Sequence, residues 1–140
     1  MGRVKERAGI RVLCCVTIMK KVLVVDDDKT ILEVVGILLQ MEGFMVFTLQ
    51  DGEKLFETID EEEPDLVVLD IWLPGINGDV LAEQMRYGKD EKYHNIPIIL
   101  MSASSESVKI ARQSKIQYSI EKPFDINDFM ALVNRALSLN

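Results

Sequence analysis

The feature that most constrains the fold is a short, almost wholly apolar run that ends in a single carboxylate. The run from Leu66 to Leu69 is followed by Asp70 and then by a turn rich in proline and glycine that extends to Gly78. A continuous apolar run bounded by turn residues is typical of a strand buried on both faces, as in a parallel sheet covered by helices. Asp70 would then lie at the carboxyl edge of the sheet, where ligands bind in open α/β folds. The alternative is that Asp70 only begins the turn, because aspartate favours turns.

Strand-like runs alternate with helical patterns along the rest of the chain. This alternation predicts right-handed βαβ crossovers and one parallel sheet of five strands with five helices. The other strands are predicted over Lys21–Val25, Phe44–Leu49, Ile96–Met101 and Ile116–Ile120; the helices are predicted over Thr30–Met41, through Leu55, Phe56 and Ile59, through Val80, Leu81, Gln84 and Met85, around Val108, Ile110 and Ala111, and after Asp125.

Charge and cysteine usage narrow the functional classes. Of the net charge of −7, the first eighteen residues carry +3, so the remainder carries −10. A body this acidic argues against direct nucleic-acid binding, which needs a basic patch. Cys14 and Cys15 are adjacent and are the only two cysteines. A bridge between neighbours is strained, so we expect reduced thiols in a cytoplasmic protein, and no run is long enough to cross a membrane.

The chain divides into an N-terminal arm, residues 1–19, and a single domain, residues 20–140. Met19 and the two lysines after it resemble a natural beginning of the domain. The arm is therefore either a disordered segment or an extension from an upstream start codon. Its apolar, β-rich part could also pair with a sheet edge or with a second chain.

Site-type side chains recur at the carboxyl ends of the predicted strands. Asp26 and Asp27 follow the first strand, Asp70 ends the third, Ser102 follows the fourth and Lys122 follows the fifth. Parallel strands end on the same side of a sheet, so these side chains should converge on one small cleft. Neighbouring carboxylates repel unless a cation neutralises them, so the three acids predict a bound Mg²⁺. A carboxylate can also attack phosphorus to give an aspartyl phosphate, and a hydroxyl and an ammonium group would then stabilise the phosphoryl charge.

Four motifs in this order resemble the response-regulator receiver domain, the CheY-like family of two-component signalling. The resemblance extends from about Lys20 to Asn140. The motifs are Val-Val-Asp-Asp-Asp at 24–28, Val-Val-Leu-Asp-Ile-Trp-Leu-Pro-Gly-Ile-Asn-Gly at 67–78, Met-Ser-Ala at 101–103 and Lys-Pro-Phe at 122–124.

The resemblance implies a single-domain, flavodoxin-like (βα)5 fold with a doubly wound five-stranded parallel sheet, and it implies a role for each site residue. Asp70 matches the phosphoacceptor, Ser102 the switch hydroxyl and Lys122 the lysine that contacts the phosphoryl group. Asp26 and Asp27 match the acidic pair that binds Mg²⁺ together with Asp70 and the main-chain carbonyl of Trp72. Pro123 matches the family's cis proline.

The function that the resemblance implies is a stand-alone receiver with no attached output domain. A histidine kinase or a histidine phosphotransfer protein would phosphorylate it, and a downstream protein of unknown identity would read the switched surface. The chain would not be an enzyme beyond its own phosphoryl transfer and dephosphorylation. We expect a cytoplasmic protein, a monomer or a weak dimer on phosphorylation, with no nucleic-acid or membrane partner.

This sequence departs from the family pattern on the face through which receivers usually signal. Ser119 occupies the position of the family's switch aromatic, with Tyr118 one place earlier, and the stretch between Ser102 and Lys122 is slightly short. The output mechanism is therefore less constrained than the phosphorylation site.

Three alternative functions remain at the sequence level. A Mg²⁺-dependent phosphatase or phosphotransferase usually carries a second carboxylate two positions after the nucleophile, where this chain has Trp72. An FMN-binding protein would need a phosphate-cradling loop after the first strand, where three aspartates would repel the phosphate. A phosphate-independent receiver is disfavoured because every site residue is present.

The remaining candidates have simpler structural explanations. We expect Asp28 to cap the first helix, His94 to have no functional role and Trp72 to form a half-exposed rim that slows loss of the phosphoryl group. Five methionines are predicted at core positions: Met41, Met45, Met85, Met101 and Met130.

Overall fold

The structure, a computed structural model, describes residues 19–103, 109 and 116–138. The arm up to residue 18 and most of the predicted fourth helix, including Val108, Ile110 and Ala111, lie outside the described residues.

Five parallel strands form one sheet in the order β2-β1-β3-β4-β5. This is the flavodoxin-like, doubly wound order predicted from the sequence. The strands are β1 (Lys21–Val25), β2 (Met45–Leu49), β3 (Leu66–Asp70), β4 (Ile98–Ser102) and β5 (Tyr118–Glu121); the described helices are α1 (Lys29–Met41), α2 (Leu55–Glu62), α3 (Gly78–Tyr87) and α4 (Ile126–Ser138), with a short 3-10 helix at Glu91–Tyr93.

Both faces of the sheet are buried because the central strands β1, β3 and β4 are apolar at all positions but one each. Successive side chains of a strand point to opposite faces. Leu23 and Val25 of β1 therefore join a core cluster with α2 and α3, whereas Val22 and Val24 join a second cluster with α1 and α4. The near-continuous apolar runs of β1, β3 and β4 thus follow from burial on two sides.

The helix ends follow local chemistry. The Asp28 carboxylate accepts hydrogen bonds from the Thr30 and Ile31 N–H groups at 2.9 and 3.4 Å, which caps α1 as predicted. Asp125 caps α4 in the same way. Among the helices of the described residues, none combines the length and apolarity needed to cross a membrane.

Strand boundaries differ from the prediction by one or two residues. β4 begins at Ile98 rather than Ile96 and includes Ser102, because its register with β3 starts at the pair Val67–Ile98. β5 begins at Tyr118 rather than Ile116, and β2 at Met45 rather than Phe44. Strand ends depend on where a neighbour offers hydrogen bonds, which apolar patterning does not reveal.

The prediction of five core methionines was wrong for two of them. Met85 and Met101 are fully buried and Met130 packs against the second cluster. Met41, however, is 76% exposed, because it ends α1 away from the buried face formed by residues such as Leu39. Met45 is 40% exposed because it begins β2, the edge strand.

Candidate functional site

Three aspartates meet at the carboxyl edge of the sheet. Asp26 follows β1 and Asp70 is the last residue of β3, the strand beside β1, so parallel pairing brings them together. Asp26, Asp27 and Asp70 each offer a carboxylate oxygen, and these oxygens lie within 4.8 Å of one another. Asp26 and Asp70 are buried, whereas Asp27 is exposed. The predicted convergence of the three acids is confirmed.

Lys122 directly follows β5, the edge strand beside β4, and its side chain reaches the acids along the carboxyl edge of the sheet. Its Nζ donates a hydrogen bond to Asp26 Oδ2 at 2.6 Å and lies 3.6 Å from Asp70 Oδ2. The shorter contact is to Asp26. The sequence did not predict this contact, since β3 and β4 separate β1 from β5 in the sheet. The order of strand ends predicts that Lys122 lies near the acids, but it does not say which carboxylate the ammonium bonds.

Burial and charge shift the pKa values of the cluster. Burial, followed by the negative charge of Asp26, raises the pKa of Asp70 to about 6, although the Lys122 ammonium opposes this. Burial alone would lower the pKa of Lys122, but the hydrogen bond to Asp26 and the charge of Asp70 outweigh it, so the pKa of Lys122 is raised. The ammonium therefore stays charged and Asp70 ionises near pH 6.

Ser102 ends β4, the strand beside β3, and is buried. Met101, its neighbour, is the register partner of Asp70, so Ser102 lies one step beyond that pair at the same edge. The Lys122 N–H donates to the Ser102 carbonyl at 2.7 Å. The backbone thus brings the predicted hydroxyl and the predicted lysine next to each other, and the Lys122–Pro123 peptide bond is cis, as the resemblance implies.

The loop after β3 folds back tightly on Asp70. The Gly78 N–H donates to the Ile71 carbonyl at 2.6 Å, and a Cβ at Gly78 would collide with the Asp70 carbonyl oxygen. Only glycine fits so close to another backbone. Trp72 lies in this loop, two residues after Asp70, and is 50% exposed, as expected for a rim residue.

Tyr118 does not take the place of the missing switch aromatic. Ser119 pairs with Leu100, which belongs to the cluster on the α2 and α3 side, whereas Tyr118 packs against the cluster on the α1 and α4 side. Neighbouring residues of a strand face opposite sides of the sheet. An aromatic residue at 118 instead of 119 therefore lies on the α1 and α4 side and not on the α2 and α3 side.

His94 has structural contacts. Its Nε2 lies 2.8 Å from the Gly88 carbonyl, and the Arg86 guanidinium donates to the His94 carbonyl at 2.6 Å. These contacts tie the loop after α3 to the helix end and need no functional role for the ring.

The acid cluster fits a hard divalent cation. Carboxylate oxygens are ligands that Mg²⁺ prefers, and the ion usually keeps several waters, which the exposed Asp27 side of the cluster allows. The receiver domains that this sequence resembles generally bind Mg²⁺ in an acidic pocket of this kind.

Comparison with known families matches residues 22–134 to the response regulator receiver domain. Two relatives, each named DNA-binding response regulator MtrA, from Mycolicibacterium smegmatis and Mycobacterium tuberculosis, are 32% identical over 126 residues, which is 89% of this chain and 53% of each relative. The chain thus spans about half the length of these curated relatives.

Solved structures share the fold. The response regulator DrrB of Thermotoga maritima, an OmpR/PhoB homologue, matches with a TM-score of 0.72 and 33% identity over 84% of this chain and 52% of that one. A CheY-like receiver domain protein of Methanospirillum hungatei matches with a TM-score of 0.75 and 25% identity over 85% of this chain and 94% of that one.

Proposed function

This chain belongs to the response regulator receiver domain family, and on that premise we propose that it is a switch driven by Mg²⁺-dependent phosphorylation of Asp70. The observation that carries the proposal is the geometry of Asp70, a buried carboxylate held beside two other acids and 3.6 Å from a lysine ammonium.

The proposed reaction uses the Asp70 carboxylate as the nucleophile toward a phosphohistidine. A bond forms between a carboxylate oxygen and phosphorus, the phosphorus–nitrogen bond breaks, and the histidine nitrogen leaves with the electron pair and takes a proton from solvent. The carboxylate must be ionised to attack. With a pKa of about 6, Asp70 is mostly ionised at neutral pH, so no general base is required.

Two side chains would stabilise the phosphoryl group once it is attached. The Lys122 ammonium already lies beside Asp70 and would shift toward the phosphoryl oxygens, because its charge complements theirs. The Ser102 hydroxyl would donate a hydrogen bond to the same group. Mg²⁺ held by Asp26, Asp27, Asp70 and the main-chain carbonyl of Trp72 would supply neutralisation of phosphoryl charge.

The partners follow from this chemistry. A histidine kinase or a histidine phosphotransfer protein would donate the phosphoryl group in the cytoplasm, and a downstream protein would bind the changed surface. We propose that the chain catalyses only its own phosphoryl transfer and dephosphorylation, and that it is a monomer or a weak dimer on phosphorylation. DNA binding is named for the MtrA relatives and is not proposed for the acidic domain described here.

The test is intact-mass analysis after incubation with acetyl phosphate and Mg²⁺. We expect one added phosphoryl group on the wild type, none on Asp70→Asn and none after chelation of the metal. Asp60→Asn is the matched control, because Asp60 also lies beside a lysine, at 3.1 Å, but is exposed. A phosphoryl group retained by Asp70→Asn would overturn the assignment, and no adduct on the wild type would favour a phosphate-independent receiver.

A further inference from the structure

A polar cavity lies at the amino edge of the sheet, away from the three aspartates. It has a volume of about 350 Å³, and the residues that line it include Arg86, Asn95, Pro97, Gln117 and Tyr118. Pro97 directly precedes β4 and Gln117 directly precedes β5, whereas Asp70 lies at the carboxyl end of β3. A strand rises about 3.3 Å per residue, so the length of β4 separates the cavity from the acid cluster by roughly 15 Å. The cavity is therefore not part of the phosphorylation site.

The Arg86 guanidinium lines this cavity with only one of its nitrogens bonded. Its Nη1 donates to the His94 carbonyl at 2.6 Å and to the Ile96 carbonyl at 3.1 Å. The N–H groups of Nε and Nη2 make no hydrogen bond to the part of the chain that the structure describes. The two carbonyls thus hold the guanidinium in place and leave its Nε–Nη2 edge for a further partner. Such an edge matches two oxygens of a carboxylate or a phosphate group.

Arg86 also lacks a counter-ion. The ion pairs of the described residues are formed by Lys92 and Lys122, and Arg86 takes part in none of them. Burial lowers the pKa of the Arg86 guanidinium, and the opposing effect comes from Tyr87 and not from a carboxylate. A half-buried charge without a counter-ion is unfavourable. The chain has 23 acidic residues, yet none of those described neutralises this guanidinium.

The remaining polar groups of the cavity favour an anion as well. Among the described residues that line it, none is acidic. The side-chain amides of Asn95 and Gln117 and the hydroxyl of Tyr118 can all donate hydrogen bonds. Arg135 adjoins the lining residue Ala136 in the last turn of α4 and adds a second positive charge to this end of the molecule. The volume is at the lower end of the range found for small-molecule sites.

We propose that this cavity binds a small molecule through an oxyanion group, either a phosphate monoester or a carboxylate. Two oxygens of the group would accept hydrogen bonds from the Nε–Nη2 edge of Arg86. The side chains of Asn95, Gln117 and Tyr118 would donate to the remaining acceptors. The bound anion would neutralise Arg86 and link the last turn of α3 to the starts of β4 and β5.

Amide NMR titration of the isotope-labelled full chain tests the proposal with sodium phosphate and, separately, with sodium acetate. Mg²⁺ is left out so that the acid cluster does not bind phosphate, and sodium chloride keeps the ionic strength constant. We expect saturable shifts of the Asn95, Gln117 and Tyr118 amides with a dissociation constant of about 1 mM, as suits an anion of few atoms. Tighter binding of phosphate would identify a phosphate ester as the ligand group, and tighter binding of acetate a carboxylate.

Gln117→Glu places a carboxylate beside the cavity and leaves the carbonyl bonds of Arg86 intact. It should weaken anion binding roughly tenfold or more, because like charges repel. It should also raise the melting temperature by about 3 °C, because the new carboxylate would supply the missing counter-ion. Gln40→Glu, the same change at an exposed position on α1, is the matched control and should have neither effect. Arg86→Met should abolish binding, but it also leaves two carbonyls unbonded, so Gln117→Glu is the deciding variant.

Three outcomes would each overturn the proposal. The first is that neither phosphate nor acetate gives saturable shifts at the cavity. The second is that Gln117→Glu binds the anion as tightly as Gln40→Glu. The third is an unchanged or lower melting temperature of Gln117→Glu, which would show that Arg86 needs no counter-ion.

Discussion

Two lysines of this protein each lie near two aspartates. Lys122 and its aspartates are largely buried, whereas Lys92 and its aspartates lie on the surface. Lys122 is 2.6 Å from Asp26 and 3.6 Å from Asp70, and its side chain is 16% exposed. Lys92 is 3.1 Å from Asp60 and 3.6 Å from a second aspartate, and its side chain is 56% exposed. The ionic groups and the distances are nearly the same in the two regions.

The pKa shifts of Asp70 in the buried region and Asp60 on the surface have opposite directions. Burial raises the pKa of Asp70 to about 6, whereas a hydrogen bond from the Tyr93 hydroxyl, followed by one from Lys92, lowers the pKa of Asp60. The comparison shows that desolvation outweighs the neighbouring lysine in setting the direction of the Asp70 pKa shift.

Replacement of each lysine by methionine should give the largest difference in stability between the two regions. Lys122→Met leaves two buried carboxylates without their cation, which should lower the free energy of unfolding by about 3 kcal/mol at pH 7.5 without Mg²⁺. Lys92→Met should have no measurable effect, since exposed ion pairs contribute little. Urea unfolding of both variants measures this, and equal losses of stability would contradict the role given to burial.

Removal of the Asp70 charge should stabilise the domain in a pH-dependent way. A carboxyl pKa raised from 3.8 to about 6 contributes stability that is present below pH 3.8 and is lost as the pH rises through 6. Asp70→Asn does not lose this stability at high pH, because asparagine does not ionise. Each pKa unit is worth about 1.4 kcal/mol, so with solvent screening we expect a gain of about 1–2 kcal/mol at pH 7.5.

Thermal and urea unfolding at pH 4 and pH 7.5, in the absence of Mg²⁺, would measure this gain. Asp60→Asn is the exposed control and should not be stabilised at either pH, because the folded state lowers the pKa of Asp60. A gain for Asp70→Asn that is equally large at pH 4 would show that the cause is not the charge.

The smallest expected effect concerns access of water to the buried cluster. Trp72 stands two residues after Asp70 and is half exposed, so Trp72→Ala should open the rim and speed loss of the phosphoryl group. We expect an increase of roughly two- to tenfold, equivalent to about 1 kcal/mol of barrier. A mass time course of the phosphorylated protein measures it, with Tyr87→Ala, an exposed aromatic on α3, as the control. An unchanged lifetime would rule out the rim function.

Much of the fold and of the candidate site could be predicted because the signals are local. The apolar run before Asp70 and the aspartates after β1 predicted which side chains meet at the carboxyl edge, since parallel strands end on the same side. Asp28 and Asp125 predicted the helix caps they form, because a cap depends on residues two or three positions away. The chemical roles of Asp70, Ser102 and Lys122 stay predictions.

By itself the sequence determined the alternation of strands and helices and the residues at each strand end, because periodicity and turn chemistry act over a few positions. Only the tertiary structure decided the bond between Lys122 and Asp26 and the raised pKa of Asp70, since desolvation depends on segments far apart in the chain. It also decided that Met41 and Met45 are exposed. An apolar residue has the same local pattern at a helix end or in an edge strand as in the core, and only the packing of neighbouring elements distinguishes these positions.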